Sequence, residues 1–275
     1  MQGMKDLYRN SPIVYNVAIM TSTIETVPIT PSDQWFAEHA VNSEARYAQG
    51  RVEQTAGVIE VGLEVVDAVA DIGITGIAIP GAVDFFDGWR HKEEALMANS
   101  MTYEAAHKHA VRAKWVGLAS ALPVTVLATV IAGSTPIGIA VGLAFGIARY
   151  ASGYSAQRQI ELVGGVESRT VAQSDAWFTS NSLRELPKNL RWLERYVELF
   201  KAGGFSISAI VALASLNPIG ILYALAAGYS YWKFDKSLPP VIEYYEDLEE
   251  KSAQLANVST TQGNHRRVNA RPLPA

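Results

Sequence analysis

The feature that most constrains the fold of this chain is a pair of long segments without any charged side chain. Residues 115–148 form a run of 34 residues, and residues 202–232 form a run of 31 residues, that contain no Asp, Glu, Lys, Arg or His. A membrane-spanning helix needs about 20 apolar residues, so each run is too long for one span and short for two. Each is also interrupted near its middle, by Ala-Gly-Ser-Thr-Pro at 132–136 and by Ser-Leu-Asn-Pro at 215–218.

A proline after a short polar break indicates a tight turn followed by a new helix. Proline fits the first turn of a helix, whereas the residue before it resists the helical conformation. We therefore predict two apolar helical hairpins, at 115–154 and 202–232, in which Pro136 and Pro218 open the second arms. Arms of about 14–19 residues would be about 21–28 Å long, which nearly crosses a hydrocarbon core of about 30 Å.

The turns and the open ends of these hairpins suggest two different roles at a membrane. The turns carry no charge, and we assign them as membrane-inserting tips: Gly133, Pro136, Ile137, Gly138, Asn217, Pro218, Ile219 and Gly220. The open ends are basic and aromatic, which is typical of side chains at a lipid–water interface. The predicted interfacial anchors are Lys114, Trp115, Arg149, Tyr150, Lys201, Trp232 and Lys233.

The two hairpins are related to each other in sequence. They align without gaps at an offset of 82 residues, so that residues 136–139 match residues 218–221. This indicates either an internal duplication or two copies of a common solution. In the first hairpin, Gly138, Gly142 and Gly146 recur at intervals of four and predict one smooth helix face for close contact with a second helix.

An acidic stripe precedes the hairpins on an otherwise apolar helical segment, at Glu60, Glu64, Asp67 and Asp71. Their spacing places them on one face of a helix, either as the solvated edge of a buried helix or as a pH-sensitive face that tolerates a membrane when protonated. Each ionised acid at the bilayer centre costs about 2.5–3.5 kcal/mol, so this helix is not expected to span while charged. The following uncharged segment, 72–83, is too short to span.

The composition excludes several classes of function. A net charge of −4 disfavours general nucleic-acid binding, which requires clustered Lys and Arg. The chain has no cysteine, which excludes disulfides, thiolate metal sites and a cysteine nucleophile. His107 and His109 are two residues apart and point about 200° away from each other on a helix, which is poor for a metal. Without a phosphate-binding glycine loop or a catalytic constellation, we expect no cofactor, no metal and no enzymatic activity.

We predict an all-α protein, a helical bundle that contains the two apolar hairpins and carries a short extended N-terminal arm. The arm comprises residues 1–31, the helical membrane-active domain residues 32–255, and a disordered basic tail residues 256–275. The N-terminus lacks an apolar core followed by a small-residue cleavage site, so it does not resemble a Sec signal peptide. The expected location is at a membrane, with a soluble stage before insertion as one option.

The stretch 191–238 resembles the end of the pore-forming domain of colicins. The matching residues are 217–221, Asn-Pro-Ile-Gly-Ile, and 235–238, Asp-Lys-Ser-Leu, and the likeness covers roughly 50 of the 275 residues. The resemblance implies a soluble all-helical bundle whose apolar hairpin is buried until it inserts and depolarises a membrane. This chain departs from that pattern because it has two hairpins, continues beyond the second one, and carries no recognisable receptor-binding or translocation region.

These features favour a membrane-inserting protein, with a pore-forming, colicin-like toxin or effector as the first interpretation. Amphipathic helices such as 55–71 and 188–200 would then line the conducting path, because an open pore needs a polar face. The second interpretation is a constitutive membrane protein of a cell or a virion, including a channel component for phage genome entry. The third is a soluble helical interaction protein with core hairpins. The expected partners are a lipid bilayer, further copies of the chain, and a delivery or immunity protein.

Overall fold

The computed structural model describes residues 31–70, 78–164 and 183–269, and the side chains of residues 33–65, 78–164 and 183–255. These ranges are helical apart from short turns, so the predicted all-α bundle is confirmed. In chain order the helices are α1 Pro31–His39, α2 Glu44–Ala70, α3 Ala78–Ala98, α4 Tyr103–Ala119, α5 Ala121–Ala132, α6 Thr135–Gly164, α7 Leu186–Ala214, α8 Ile219–Trp232 and α9 Pro239–Asn269. A π-helical turn, Lys233–Ser237, joins α8 to α9.

The hydrophobic core lies at one end of the bundle, where α1 and α9 pack against α3, α4 and α6. Five of its large members are fully buried: Phe36, Met97, Ile160, Tyr244 and Leu248. Burying side chains of this size contributes about 1.5–3 kcal/mol each. The core residues of α3, α4 and α6 come only from the end of α3, the start of α4 and the end of α6. The remaining lengths of these helices therefore extend beyond the core.

Helices α2 and α3 form a tightly packed antiparallel pair whose contact depends on glycine. A Cβ atom on Gly50 would collide with the carbonyl oxygen of Gly88, and a Cβ atom on Gly57 would collide with that of Gly81. Gly50 and Gly57 are seven residues apart, as are Gly81 and Gly88, so the four glycines meet on matching faces two helical turns apart. The absence of side chains lets the two backbones approach closely.

Both predicted hairpins are present. In the first hairpin, the first arm comprises α4 and α5, which are separated by a break at Ser120. Its turn comes at Gly133, whose φ of +60° is a left-handed conformation that glycine adopts readily. Pro136 then lies in the first turn of α6, as predicted. In the second hairpin, α7 ends at Ala214 and Pro218 caps the start of α8. These two units are called hairpin 1 (residues 115–154) and hairpin 2 (residues 202–232).

The two hairpins and the free end of the α2–α3 pair extend toward the same side of the core. Because α3 and α4 are antiparallel neighbours joined by residues 99–102, the start of α3 points in the same direction as hairpin 1. Ion pairs show the direction of α7 relative to α2. Near the start of α2, Arg46 pairs with Glu194 and shares the partner Glu94 with Arg191. Further along both helices, Glu53 of α2 and Glu198 of α7 bind the same lysine, Lys233. Helices α2 and α7 therefore run parallel.

Two terminal predictions have separate outcomes. The N-terminal arm predicted for residues 1–31 lies outside the described residues, apart from Pro31, which begins α1. The disordered tail predicted for residues 256–275 stays a prediction, and the backbone of α9 extends into this segment as far as Asn269. No proline interrupts this segment before Pro272, so the helix meets no such break at residue 256.

Candidate membrane-contacting hairpins and the charged layer at their base

Hairpin 1 is held together by the glycine face predicted from the sequence. Gly142 packs against Thr125, and Gly138 and Gly146 pack in the same way against Thr129 and Ala121. Each contact is so close that a methyl group on the glycine would overlap the facing residue. The hydroxyl groups of the two threonines donate hydrogen bonds to backbone carbonyls one turn earlier in α5. The inner face of hairpin 1 is therefore closed and its polar groups are satisfied.

The outer faces of hairpin 1 are apolar and exposed. Leu122 and Ile131 of α5 are each 76% exposed, and Ile147 of α6 is 63% exposed. Further large apolar side chains are at least 43% exposed in the same hairpin: Val126, Val130, Ile137, Ile139, Val141 and Leu143. A soluble protein normally turns such residues inward. The long axis of hairpin 1 is thus an uncharged surface that no described residue covers.

Hairpin 2 exposes its apolar side chains to the same degree. Leu216, at the turn, is 92% exposed, and Ile207 in α7 and Leu225 in α8 are each 66% exposed. Its arms pack more loosely than those of hairpin 1, because a Cβ atom on Gly203 or Gly228 would meet nothing within 4 Å. A groove of about 800 Å³ lies along the small residues between α7 and α8.

In the described part of the chain, three helical segments are long and apolar enough to cross a membrane: Tyr103–Ala132, Thr135–Gly164 and Leu186–Ala214. They comprise both arms of hairpin 1 and the first arm of hairpin 2. The second arm of hairpin 2, α8, has 14 residues and is about 21 Å long. The expectation of membrane helices is thus supported by length and composition.

This exposure differs from what two of the interpretations of the sequence imply. The interpretation of the hairpins as core stays a prediction, although the buried cluster of the described residues is formed by other parts of the helices. The resemblance to colicins implied a hairpin that is buried before insertion, whereas hairpin 2 lies with its apolar side chains exposed. The cause is the position of the core, which fills the end of the bundle opposite the tips.

Three helix pairs extend from the core: the α2–α3 pair, hairpin 1 and hairpin 2. Where they leave the core, ionisable side chains are concentrated inside the bundle. We call these residues the charged layer. It consists of Arg46 and Glu53 of α2, Asp84, Asp87, Arg90, His91 and Glu94 of α3, Arg149 of α6, Arg191, Glu194 and Glu198 of α7, and Lys233 of the π-helical turn. Most of these residues line a cavity of about 410 Å³ between the helices.

Three arginines and two glutamates form the part of the charged layer nearest the core. Arg90 binds both glutamates, with 2.8 Å from Nη1 to Glu94 and 2.7 Å from Nη2 to Glu194. Arg46 and Arg191 bind the same two carboxylates, and Glu94 is 1% exposed. Burial alone would raise the pKa of Glu94, but the three guanidinium groups hold it below its ordinary value. This network joins α2, α3 and α7.

Two further buried cations tie the hairpins to α2 and α3. Arg149 of hairpin 1 pairs with Asp87 and also donates a hydrogen bond of 3.0 Å to Ser120. Lys233, at the end of hairpin 2, lies 2.8 Å from Glu53 and 3.0 Å from Glu198. Burial lowers the pKa of Lys233, but the two carboxylates outweigh this and raise it above its ordinary value. The two carboxylates therefore favour the charged form of Lys233.

Two members of the charged layer have strongly shifted pKa values. Burial lowers the pKa of His91 well below its ordinary value, and the neighbouring Arg46 and Arg90 lower it further. A neutral His91 fits its contacts, since Nε2 accepts from Arg90 at 2.9 Å and Nδ1 donates to Glu53 at 2.5 Å. Burial raises the pKa of Asp84 to about 6, and Glu60, Glu53 and Asp87 add to the effect.

The predicted tips lie at the ends of the hairpins farthest from the core, and six of the eight are exposed. Gly138 and Gly220 are buried because each contacts the opposite arm. Whether the tips enter a membrane stays a prediction.

The predicted anchors divide into two groups. Trp115 and Lys201 are exposed, and Tyr150 and Trp232 are half-buried beside them. The prediction that Lys114, Arg149 and Lys233 reach a lipid surface is wrong for this fold, because all three are buried. Each has found a partner on another helix, as for Lys114, whose ammonium group donates to Gln157 at 2.6 Å and lies 5.2 Å from the ring of Trp115.

The acidic stripe also takes an unexpected position. Glu60 packs against Gly81 of α3, and both Glu60 and Glu64 are half-buried while their apolar neighbours are exposed. The interpretation of a solvated edge is therefore wrong for these two residues. Asp71 and the side chain of Asp67 lie outside the described residues. The pH-sensitive interpretation stays a prediction, and the structure adds Asp84, on the facing helix, which was not identified from the sequence.

The charged layer was missed because its partners come from distant parts of the chain. Two signals could have pointed to it. Arg90 and Glu94 are four residues apart, and Arg191 and Glu194 are three apart, which are spacings that pair on a helix. No group of three His, Asp or Glu side chains in the described ranges is arranged to hold a metal ion.

Comparison of the chain with protein-family models, with curated proteins and with solved structures finds no match.

Proposed function

We propose that this protein inserts hairpins 1 and 2 into a lipid bilayer and makes the bilayer permeable to ions. The observation that carries the proposal is the exposure of large apolar side chains along two hairpins that contain no charged residue. The expected partner is the hydrocarbon interior of a bilayer, and no bond-making chemistry is involved. A colicin-like toxin or effector is the form of this function that the sequence resemblance favours.

The free energy available from insertion is large compared with the cost of single polar groups. Hairpin 1 alone exposes about ten large apolar side chains. Full burial of such a side chain gives about 1.5–3 kcal/mol, so half-exposed residues at about 1 kcal/mol each provide on the order of 10 kcal/mol per hairpin. The hydroxyl groups of Thr125 and Thr129 already donate to backbone carbonyls, which removes most of the penalty for taking them into hydrocarbon.

The charged layer supports the second half of the proposal, the passage of ions. Its cavity lies where the helix pairs diverge and is lined by side chains of both signs, including Asp84, Asp87 and Glu198. Polar groups inside a membrane bundle usually mark the pathway of an ion or a proton. Opening would require the hairpins to separate at their tips while the charged layer keeps their bases together.

A constitutive membrane protein is the second candidate, and one observation favours it. A toxin with a soluble stage has to hide its hairpins before it meets a membrane, whereas the described fold leaves them exposed. Expression without detergent distinguishes the two. Soluble, monodisperse protein supports the inserting toxin, and protein that is extracted from membranes only by detergent supports the constitutive protein.

The test of insertion uses charge substitutions at exposed positions, where a soluble fold would tolerate them. Val126→Asp lies midway along α5 and Ile207→Asp lies midway along α7 in hairpin 2. Because a charged residue near the bilayer centre costs about 2.5–3.5 kcal/mol, each variant should bind or remain in vesicles of phosphatidylcholine and phosphatidylglycerol on the order of 100-fold more weakly. The matched control is Val52→Asp, which places the same charge at an equally exposed valine of α2 next to the charged layer.

Flotation of vesicles measures insertion, and release of a trapped dye measures permeability. The proposal expects wild type and Val52→Asp to float with the vesicles and release dye, and both hairpin variants to need on the order of 100-fold more lipid for the same flotation and to release less dye at equal lipid. Equal flotation of all four proteins would show that the hairpins do not enter hydrocarbon. Flotation of wild type without dye release would leave a membrane-embedded protein and refute the permeabilising activity.

A further inference from the structure

The free end of α2 has a polarity opposite to that of a water-exposed helix. Between residues 58 and 65, the two glutamates Glu60 and Glu64 are half-buried, and the other six residues are exposed. Five of those six are large and apolar: Val58, Ile59, Val61, Leu63 and Val65. In water, a helix beside a single partner turns its acidic residues outward and its valines inward. The reversed arrangement is expected when the medium around the outer face of α2 is less polar than the face of α3 that α2 contacts.

The contact with α3 explains why the acids point inward. Gly57 and Gly81 bring the two backbones together, and residues 60 and 64 follow Gly57 on the same face of α2. Glu60 lies directly over Gly81, and among the described residues its buried Oε2 atom has no hydrogen-bond partner. The glycine pair therefore fixes the rotation of α2, and this rotation leaves the apolar residues on the outside.

The position of this end relative to the hairpins is equally informative. It projects beyond the charged layer on the same side as hairpins 1 and 2, because Asp87 and Glu53 at its base pair with Arg149 and Lys233 at the bases of the hairpins. Aromatic side chains cluster at its foot, where Phe85 packs against Phe86 and Trp89 at ring distances of 5.7 and 6.3 Å. Hairpin 1 carries a similar aromatic pair at the same level, Trp115 and Tyr150.

We propose that the free end of the α2–α3 pair is a third membrane-inserted element, which contacts bilayer hydrocarbon through Val58, Ile59, Leu63 and Val65. The inference rests on the proposed function, since it extends the apolar surface of the two hairpins to a third helix pair. Glu60 faces α3, and Glu64 follows it on the same face of α2. Hairpins 1 and 2 contain no acidic residue, whereas this element carries an acidic inner face into the membrane. Because acidic side chains along a path attract cations, the permeating ions would be cations.

The absence of cysteine from the chain permits a direct test with single-cysteine variants that carry an environment-sensitive fluorophore. Leu63→Cys reports the free end of α2. Arg51→Cys is the matched control, because it is exposed on the same helix at the level of the charged layer, between Arg46 and Glu53. Leu122→Cys and Ile207→Cys report hairpins 1 and 2. All four positions are exposed, so labelling should leave the fold intact.

The labelled full-length proteins are reconstituted in vesicles of phosphatidylcholine and phosphatidylglycerol, and quenching by doxyl-labelled lipids is compared with quenching by aqueous iodide. We expect lipid quenching at positions 63, 122 and 207, and iodide quenching at position 51. Lipid quenching at 122 and 207 with iodide quenching at 63 would overturn the third inserted element and keep the proposed function. Iodide quenching at all four positions would overturn both.

A position 63 protected from both quenchers would mean that protein covers α2, as in contact with a second copy, and would also refute the inference. Ion selectivity gives an independent readout. Glu60→Gln should reduce the ratio of potassium to chloride permeability in vesicles that the wild type makes permeable. An unchanged ratio would show that the acidic face does not line the path.

Discussion

Replacement of Asp84 by asparagine should stabilise the protein at neutral pH. Asp84 lies in the cavity of the charged layer, outside the proposed membrane-inserted segments. Burial, with Glu60, Glu53 and Asp87 as neighbours, raises the pKa of its carboxyl group from 3.8 to about 6, and the attraction of Lys233 offsets only part of this. The ionised form of Asp84 is therefore less stable in the folded protein than in the solvated, unfolded chain.

The magnitude follows from the size of the shift. A pKa difference of about two units corresponds to about 3 kcal/mol, and because Asp84 is only half-buried solvent screening reduces this to about 1–2 kcal/mol. The folded-state pKa lies above the unfolded-state value, so the folded protein takes up the proton first as the pH falls. The penalty is complete above about pH 6, decreases between pH 6 and 4, and vanishes when both states are protonated.

The assay is denaturant or thermal unfolding in a mild detergent, for wild type and Asp84→Asn, at several pH values between about 4 and 7.5. The variant should be more stable by about 1–2 kcal/mol near neutral pH, and the difference should disappear near pH 4. Asp87→Asn is the matched control one turn away. It should destabilise the protein by about 2–3 kcal/mol, because the buried Arg149 loses its carboxylate partner. A destabilised Asp84→Asn protein, or a difference that is independent of pH, would refute the reasoning.

Three further substitutions test the packing and the ion pairs by the same unfolding measurement. Gly57→Ala should lower the free energy of unfolding by about 1–3 kcal/mol, because the new methyl group collides with the backbone of Gly81. In the control Gly62→Ala the methyl group meets nothing within 4 Å, so this variant should stabilise α2 by up to about 1 kcal/mol. Equal effects of the two substitutions would contradict the close contact of α2 with α3. Lys233→Met should cost about 3 kcal/mol, because two buried carboxylates lose their cation, and a neutral result would mean that water already solvates them. Tyr244→Phe should stabilise the core by about 1 kcal/mol, since the buried hydroxyl has no partner among the described residues; a loss of stability would reveal a bound water.

The hairpins could be predicted from the sequence because their determinants are local. A long run without charge, a proline after a polar break, and glycines at intervals of four residues each act within one helix or between neighbouring helices. The structure confirms the turn before Pro136 and the closed face of Gly142 against Thr125. Local patterns of this kind can be identified without knowing the rest of the fold.

The charged layer could not be predicted in the same way, because its pairs join residues that are far apart in the chain. Arg149 and Lys233 have the composition of interfacial anchors, and nothing near them in sequence indicates that they turn inward. Their partners, Asp87 and Glu53, belong to α3 and α2. A cation at the end of an apolar run can reach lipid headgroups or a carboxylate, and only the arrangement of the other helices decides between them.

The acidic stripe shows how a single contact reverses an interpretation. Its spacing correctly places Glu60 and Glu64 on one face of α2, but periodicity cannot tell which face meets the partner helix. The pairing of Gly57 with Gly81 settles that question. The signal was available in the sequence, as glycines seven residues apart at positions 50 and 57 and again at 81 and 88.

The charged layer also defines where a bilayer would end. On each of the three helix pairs, exposed apolar residues continue beyond the residues that form its ion pairs, as far as the end of the described helices. In water, that apolar surface would be a large aggregation-prone patch; in hydrocarbon, the carboxylates and guanidinium groups of the layer would be costly even when paired. Both costs are smallest when the layer lies at the interface, where aromatic side chains such as Trp115 and Trp89 are favoured and the exposed Lys201 can reach lipid headgroups.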